Sequence, residues 1–346
     1  MPATQQTRPP THRPPRLRTG DAVGIVSPSW GGPAVFPHRL ERGVEELERL
    51  GFEVKLGEHA LNADGHVSDT ARNRARDIHR FFEDPDVRLI LASIGGDHSC
   101  HLLPHLDWKL MRRHPTLLMG YSDISVLNVA VWSMTGLVTC NGPALMTDFA
   151  EFPAPLGYTL QAFLRAVCEP KPLGEIEPAR AWTEEILDWG TKADLTRPRA
   201  MTPTQGWVAL KRGVGVGTLI GGCIESLQHL RGTPYWPRMD GAILFLETSE
   251  EAPTPERVDG ILMDYENMGV LRGLSGLLFG RPMNYSDEDR RRLAEVLLER
   301  TKGLDFPIVT EVDFGHTSPQ FVLPIGCRAR LDGSKTSLEI LEPAVS

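Results

Sequence analysis

Apolar and polar positions alternate in blocks along the first half of the chain, as strands separated by helices do. Leucine and valine recur at helical spacing over 38–51, and Gly51 marks the end of this predicted helix. Apolar runs on either side predict buried strands, namely DAVGIVSPS (21–29), FEVKLG (52–57), VRLILASIGGD (87–97), TLLMG (116–120) and LVTCNGP (137–143). Strands without polar alternation are typical of a parallel sheet covered on both faces. We therefore predict an α/β domain over 21–168, Rossmann-like or amidotransferase-like.

The pattern changes after Cys168. Residues 169–206 are rich in Pro, Glu, Thr and Trp and have weak periodicity, which predicts a long connecting excursion. From Trp207 onward, short β-like runs alternate with helical stretches near 221–231, 254–268 and 286–301. This alternation predicts a second, smaller α+β domain over 207–346.

Composition and charge narrow the class of protein. The 346 residues are 41% hydrophobic and 24% charged, as in soluble globular proteins, and the net charge of −8 argues against a nucleic-acid partner. Residues 1–20 are rich in Arg and Pro without an apolar run, so we predict a disordered arm and neither a signal peptide nor a membrane anchor. The five cysteines are scattered without metal-type pairing, which suits a reduced cytoplasmic protein with no metal site.

Glycine-rich and serine-bearing loops follow several predicted strands. GVGVG (213–217) lacks the GxGxxG spacing and favours a bent strand or turn over a nucleotide cofactor site. SIGGDHS (93–99) could supply backbone N–H groups to an oxyanion hole, or be a plain glycine turn. Ser122 in MGYSDIS has the context of a nucleophile elbow between strand and helix, although Ile124 interrupts the G-x-S-x-G form. A helix-capping serine explains the same pattern.

A serine nucleophile needs a base and an orienting acid. His316 lies in DFGHTSPQ, directly after an apolar run, and Glu247 ends the apolar strand AILFLE. Either residue alone is more typical of an ordinary solvated position. Their combination with Ser122 indicates a Ser–Glu–His triad.

Several blocks along the chain support this combination. SIGGDHSCHLLPHLD, MGYSDIS, TGLVTCNGP, GTLIGGCIESLQHLRGTPYWP, GAILFLE and DFGHTSP resemble, in order, blocks of the LD-carboxypeptidase family of serine peptidases. The resemblance implies Ser122 as nucleophile, His316 as base and Glu247 as its acid, at a domain interface. It further implies an oxyanion hole formed by the backbone amides of Gly96 and Asp123, no metal or organic cofactor, and a homodimer.

The excursion bears on the substrate. AWTEEILDWG (181–190) and QGW (205–207) resemble the tryptophan-bearing insertion of the microcin C immunity branch, where an aromatic ring stacks on a nucleobase. Trp182 and Trp189 are therefore predicted substrate contacts, with packing between domains as the alternative. The expected activity is cleavage of aminoacyl or peptidyl nucleotide conjugates.

Two positions depart from the family pattern. Cys223 in GGCI and His98 in GGDHS stand where the family usually has asparagine. We predict that His98 contacts the substrate. Two other functions stay open: a muropeptide LD-carboxypeptidase that releases terminal D-alanine, and a catalytically silent protein that binds a peptide or nucleotide.

Overall fold

The computed structural model describes residues 10–346. Its strands are β1 (Ala22–Val26), β2 (Glu53–Leu56), β3 (Val87–Ala92), β4 (Leu117–Gly120), β5 (Thr139–Asn141), β6 (Gly174–Glu175), β7 (Ala181–Trp182), β8 (Thr202–Pro203), β9 (Val208–Lys211), β10 (Val214–Cys223), β11 (Ala242–Glu247), β12 (Gly276–Gly280), β13 (Ile308–Val312), β14 (Leu323–Ile325), β15 (Arg328–Asp332) and β16 (Ser337–Ile340). Its helices are α1 (Gly32–Val35), α2 (Pro37–Arg49), α3 (Ala71–Glu83), α4 (Trp108–Arg113), α5 (Ile124–Thr135), α6 (Gly157–Cys168), α7 (Ile224–Leu227), α8 (Pro255–Asn267) and α9 (Asp287–Arg300).

The first sheet has the strand order β14–β5–β4–β3–β1–β2. Strands β1 to β5 are parallel to one another, and β1, β3 and β4 are almost entirely buried. Parallel strands need helical crossovers, and the apolar runs between helices predicted this arrangement. The prediction of an N-terminal parallel-sheet domain is confirmed. Its edge strand β14 is antiparallel to β5 and comes from the C-terminal half of the chain.

The second sheet has the order β6–β16–β15–β10–β11–β12–β13–β9. Strands β10 to β13 are parallel and are flanked by antiparallel strands, a division that the apolar runs alone did not predict. Residues 214–217 of the GVGVG stretch lie in β10. A Cβ atom at Gly215 would lie 1.7 Å from the carbonyl oxygen of Ser275, so these glycines permit close backbone packing.

The excursion 169–206 runs along both domains. Its strand β6 pairs with β16, and β7 pairs with β8. Thr183 exchanges two backbone hydrogen bonds with Ser318, of 2.7 and 2.9 Å. The excursion is thereby tied to the loop that carries His316. The domain boundaries at 168/169 and 206/207 stay predictions.

The predicted disordered arm is wrong for residues 10–20, and residues 1–9 lie outside the described residues. The side chain of Leu17 is buried, and its N–H donates to the carbonyl of Val167 at 2.8 Å. The N–H of His12 donates to Gly136 at 2.9 Å. An extended, proline-rich segment forms no helix, but its free backbone groups find partners on the body of the protein.

Within residues 10–346, no helix combines the length and the apolar content that crossing a membrane requires.

Candidate active site

Ser122 lies on a sharp turn between β4 and α5. Its φ of 60° is in the left-handed region, which a residue other than glycine adopts at a cost of about 1–3 kcal/mol. The turn is held between a fully buried strand and a helix that is buried along most of its length. Gly95, after β3, packs directly against it: a Cβ atom there would lie 3.0 Å from the Ser122 Oγ. The rigid surroundings fix the direction of the serine hydroxyl.

Ser122, His316 and Glu247 form a continuous hydrogen-bonded chain. The Ser122 Oγ lies 3.0 Å from Nε2 of His316, and Nδ1 of His316 lies 2.7 Å from Oε2 of Glu247. The side chains of His316 and Glu247 are only 8% and 1% exposed. These are the contacts that a nucleophile, a base and an orienting acid require.

The electrostatics of the pair follow from this burial. Burial raises the pKa of Glu247, and the charge and hydrogen bond of His316 act in the opposite direction. Burial would also lower the pKa of His316. The charges and hydrogen bonds of Glu247 and Glu250 outweigh that effect and raise the His316 pKa to about 10.

Close backbone packing sets the position of the acid and the base. Gly315, next to His316, has a φ of +99°, and a Cβ atom there would lie 2.7 Å from Oε2 of Glu247. Only glycine allows the loop to approach the carboxylate this closely. Across the domain interface, the backbone N–H of Cys223 donates to Oγ of Ser125 on α5, at 3.0 Å. The nucleophile's helix is thus joined to the strand beside Glu247.

Asp313 anchors the loop that carries His316. Its Oδ1 accepts a hydrogen bond of 2.8 Å from Arg281, and its Oδ2 accepts one of 2.7 Å from the indole N–H of Trp207. The same Oδ2 accepts a third bond, of 2.9 Å, from the backbone N–H of Ala179. The network therefore ties the loop to Ala179 within the excursion and to Trp207 directly after it.

We expect Asp313→Ala to lower the free energy of unfolding by about 3 kcal/mol or more. The side chains of Asp313 and Arg281 are 0% and 2% exposed, so the change leaves a buried guanidinium without this partner. Urea unfolding followed by tryptophan fluorescence measures the effect, with the exposed Asp305→Ala as the control. A loss below about 1 kcal/mol would contradict the anchoring role.

A cleft of about 820 Å³ opens beside the triad. This volume is in the range of small-molecule sites. One wall is aromatic: Phe36 lies edge-on to Trp189, with ring centroids 5.5 Å apart, and Trp30 lies 5.9 Å from Phe36. The cleft lining also includes the exposed side chain of Ile186. An aromatic and aliphatic wall of this kind suits a flat ring such as a nucleobase.

The comparisons with known proteins agree with this geometry. Residues 23–142 match the LD-carboxypeptidase N-terminal domain, and residues 216–331 match the LD-carboxypeptidase C-terminal domain. The chain is 33% identical to the putative carboxypeptidase YocD of Bacillus subtilis, over 92% of this chain and 95% of that protein. The chain belongs to the LD-carboxypeptidase family. The predicted family, and with it the prediction of a serine hydrolase, is confirmed.

Other LD-carboxypeptidase family members are similar over nearly the full length. The microcin C7 self-immunity protein MccF of Escherichia coli is 30% identical over 95% of this chain and 96% of that protein. The structure of MccF in complex with glutamyl sulfamoyl guanosine has a TM-score of 0.90 and 28% identity, covering 96% of this chain and 99% of that one. The predicted two-domain α/β architecture is the one that these solved structures have.

Two predicted substrate contacts of this LD-carboxypeptidase family member line the cleft, and one does not. Trp189 and His98 are among the lining residues. Trp182 lies elsewhere, with the guanidinium groups of Arg281 and Arg290 5.0 and 5.3 Å from its ring centroid. These cation–π contacts hold the ring against the second domain, which favours the alternative of packing between domains, and a substrate contact at Trp182 stays a prediction.

The predicted oxyanion residues lie next to the nucleophile. Gly96 lines the cleft with a φ of +137°, and Asp123 directly follows Ser122. The buried Asp123 carboxylate accepts a hydrogen bond of 2.8 Å from the Ser99 N–H, which joins the loop after β3 to the elbow. Burial raises the pKa of this carboxyl group. The use of these two amides as an oxyanion hole stays a prediction.

Sequence reasoning missed several residues of the site. Trp30 and Phe36 follow β1 at the carboxyl edge of the sheet, where a ligand is expected, and this position was an available signal. Glu250 lies three residues after Glu247, and its Oε2 is 3.1 Å from Nε2 of His316. In a run of three glutamates in ETSEE, the sequence does not indicate which one faces the histidine.

Proposed function

We propose that this chain hydrolyses aminoacyl or peptidyl nucleotide conjugates by transferring the acyl group to Ser122. The observation that carries the proposal is the hydrogen-bonded chain from Ser122 through His316 to Glu247, open to a cleft with an aromatic wall. The hydrogen-bonded chain favours acyl transfer. The aromatic wall of the cleft favours a substrate with a nucleobase.

In the proposed mechanism, His316 removes the hydroxyl proton of Ser122 as the oxygen attacks the carbonyl carbon. Glu247 holds Nδ1 in its protonated form and stabilises the imidazolium that results. The N–H groups of Gly96 and Asp123 donate to the oxyanion, an interaction worth about 2.7–4 kcal/mol per donor. His316 then protonates the leaving group, and water, activated by the same histidine, releases the acyl group from Ser122.

The substrate class is supported by the cleft and by one relative. Trp189 is held between Phe36 and the guanidinium of Arg39, which lies 4.5 Å from its ring centroid. A ring fixed in this way loses little conformational freedom when a nucleobase stacks on it. MccF, which has the same fold, binds glutamyl sulfamoyl guanosine, an aminoacyl nucleoside conjugate.

A side-by-side assay tests the substrate class. The enzyme is offered an aminoacyl sulfamoyl adenosine and, separately, a murein tetrapeptide with a terminal D-alanine. We expect release of the amino acid from the conjugate and at least tenfold lower kcat/KM for the tetrapeptide, about 1.4 kcal/mol in transition-state stabilisation. The reverse preference would favour the muropeptide carboxypeptidase alternative, which a similar protein of Bacillus subtilis, a probable murein peptide carboxypeptidase, supports.

We expect Trp189→Ala to raise KM for the nucleotide conjugate roughly 5- to 150-fold, because a base–aromatic stack contributes about 1–3 kcal/mol. Trp182→Ala is the matched control, since this ring packs on Arg281 and Arg290 and not in the cleft. Steady-state kinetics of both variants measure the effect. Equal KM changes in the two variants would show that Trp189 is not part of the proposed nucleobase-binding site.

The sequence had also left open a catalytically silent binding protein. A fluorophosphonate probe would leave its Ser122 unlabelled, whereas an active serine hydrolase is labelled there.

We also propose that the protein is a cytoplasmic homodimer. The scattered cysteines support the cytoplasmic location, and the family resemblance supports the homodimer.

A further inference from the structure

His316 has a second carboxylate partner on the nitrogen that must act as base. Oε2 of Glu250 lies 3.1 Å from Nε2, and Oγ of Ser122 lies 3.0 Å from the same atom. Nδ1 is occupied by Glu247. The ring of Tyr121 packs edge-on against the imidazole, with centroids 5.2 Å apart, and burial keeps its phenol protonated by raising its pKa. Ionised groups therefore face the imidazole from the Glu247 strand and from the Glu250 loop.

The chemistry of Nε2 makes the contact with Glu250 consequential. An imidazole nitrogen carries either a proton or a lone pair. A lone pair would face an ionised carboxylate at 3.1 Å, so this contact favours a proton on Nε2. The hydrogen bond from His316 lowers the pKa of Glu250 to about 2, so the carboxylate is ionised at neutral pH. With Nε2 protonated, His316 cannot take the proton of Ser122.

The position of Glu250 also conflicts with the substrate. In acyl transfer, the protonated Nε2 donates to the leaving-group atom once the serine has attacked. The Glu250 carboxylate lines the cleft, and its Oε2 lies 3.1 Å from the same Nε2. A bound leaving group and this carboxylate therefore compete for the same place beside Nε2.

The Glu250 side chain is free to turn aside while its backbone stays in place. Ser249 donates two hydrogen bonds to Glu225, from its N–H at 2.9 Å and its hydroxyl at 2.7 Å. The side-chain amide of Asn284 donates to the Glu250 carbonyl at 3.0 Å. The Glu250 side chain itself is 55% exposed. Rotation about its own bonds is enough to leave Nε2, and no loop movement is needed.

We propose that Glu250 is a positioning residue that keeps the free enzyme in a self-inhibited form, by holding the proton on Nε2 of His316 until a substrate leaving group displaces it. This inference rests on the proposed role of His316 as the base. When Glu250 turns away, His316 loses one of its two carboxylate partners and its pKa falls. The Nε2 proton then passes to solvent, and the lone pair becomes available to Ser122.

The test follows the availability of the base without relying on any substrate. The rate at which a fluorophosphonate modifies Ser122 is measured against pH in the wild type, in Glu250→Gln and in Glu251→Gln. Removing the Glu250 charge lowers the pKa of His316, so the neutral imidazole persists to lower pH. We expect the Glu250→Gln profile to move to lower pH, with labelling at pH 7 at least about tenfold faster.

Glu251→Gln is the matched control, because it removes the same charge from the next, exposed position. We expect its profile to overlay that of the wild type. As a direct readout, the NMR titration of the His316 ring, assigned by its loss in His316→Gln, should have a lower midpoint in Glu250→Gln than in the wild type. Identical midpoints, or an equal shift in Glu251→Gln, overturn the proposal.

The outcomes separate this inference from the proposed function. The pH profile of labelling could shift in Glu250→Gln while the enzyme leaves nucleotide conjugates intact. That result would support self-inhibition and refute the proposed substrate class. Normal labelling with an unshifted profile refutes self-inhibition alone. A Ser122 that stays unlabelled in every variant refutes the nucleophile and this inference together.

Discussion

Ser122→Ala is expected to lower kcat/KM by about 10⁴-fold or more, the largest loss of any single change in the site. Without the hydroxyl no acyl enzyme forms, and only binding and the oxyanion donors remain to favour hydrolysis. The fold should persist, because alanine takes the place of serine on a turn fixed by β4, α5 and Gly95. Steady-state assays and thermal melting measure the two effects.

The matched control is Ser334→Ala, an exposed serine on the turn between β15 and β16. It should turn over substrate like the wild type. If Ser122→Ala kept more than about a hundredth of the wild-type rate while still folded, acyl transfer to this residue would be excluded.

Glu247→Gln is expected to lower kcat by about 10⁴-fold, since an amide in place of the carboxylate favours the wrong tautomer of the imidazole. The amide can donate to Nδ1 of His316, which places the proton on Nε2 and leaves no lone pair for Ser122. It also removes a negative charge 2.7 Å from the imidazolium. Because that charge raises the pKa of His316, the midpoint of the His316 titration should fall in this variant.

Two measurements are needed here, because a lower pKa of His316 by itself would increase the fraction of neutral imidazole that can act as the base. Kinetics should show the loss of kcat at every pH, while NMR should show the lower midpoint of His316. Glu251→Gln controls for the loss of a surface charge and should change neither quantity. A variant that kept kcat within tenfold of the wild type would show that Glu247 does not orient the base.

The buried parts of the fold and the three residues of the Ser–Glu–His chain could be predicted from the sequence. Ser122 and His316 come after buried strands and Glu247 ends one, and the carboxyl ends of parallel strands form one edge of a sheet. The apolar runs before Ser122 and Glu247 are indeed β4 and β11. A family resemblance over most of the chain then assigned the three residues, which lie in two domains, to one site.

Residues in irregular segments could not be assigned in the same way. Trp182 and Trp189 lie in one excursion without periodicity, so no pattern indicates which ring turns to the cleft and which packs on Arg281. Glu250 depends on the curvature of a loop, and Asp313 on partners far away in the chain. Tertiary contacts decide these positions, and local sequence carries little information about them.

The antiparallel edge strand β14 has a consequence for biosynthesis. Leu323 pairs with Asn141, so the first sheet lacks this edge strand until residues 323–325 have emerged from the ribosome. Until then β5 presents an open row of backbone donors and acceptors, to which another nascent chain can add. The sheet that carries the nucleophile is therefore completed by a strand from the C-terminal half of the chain, and its edge is protected from such pairing only once that half has folded.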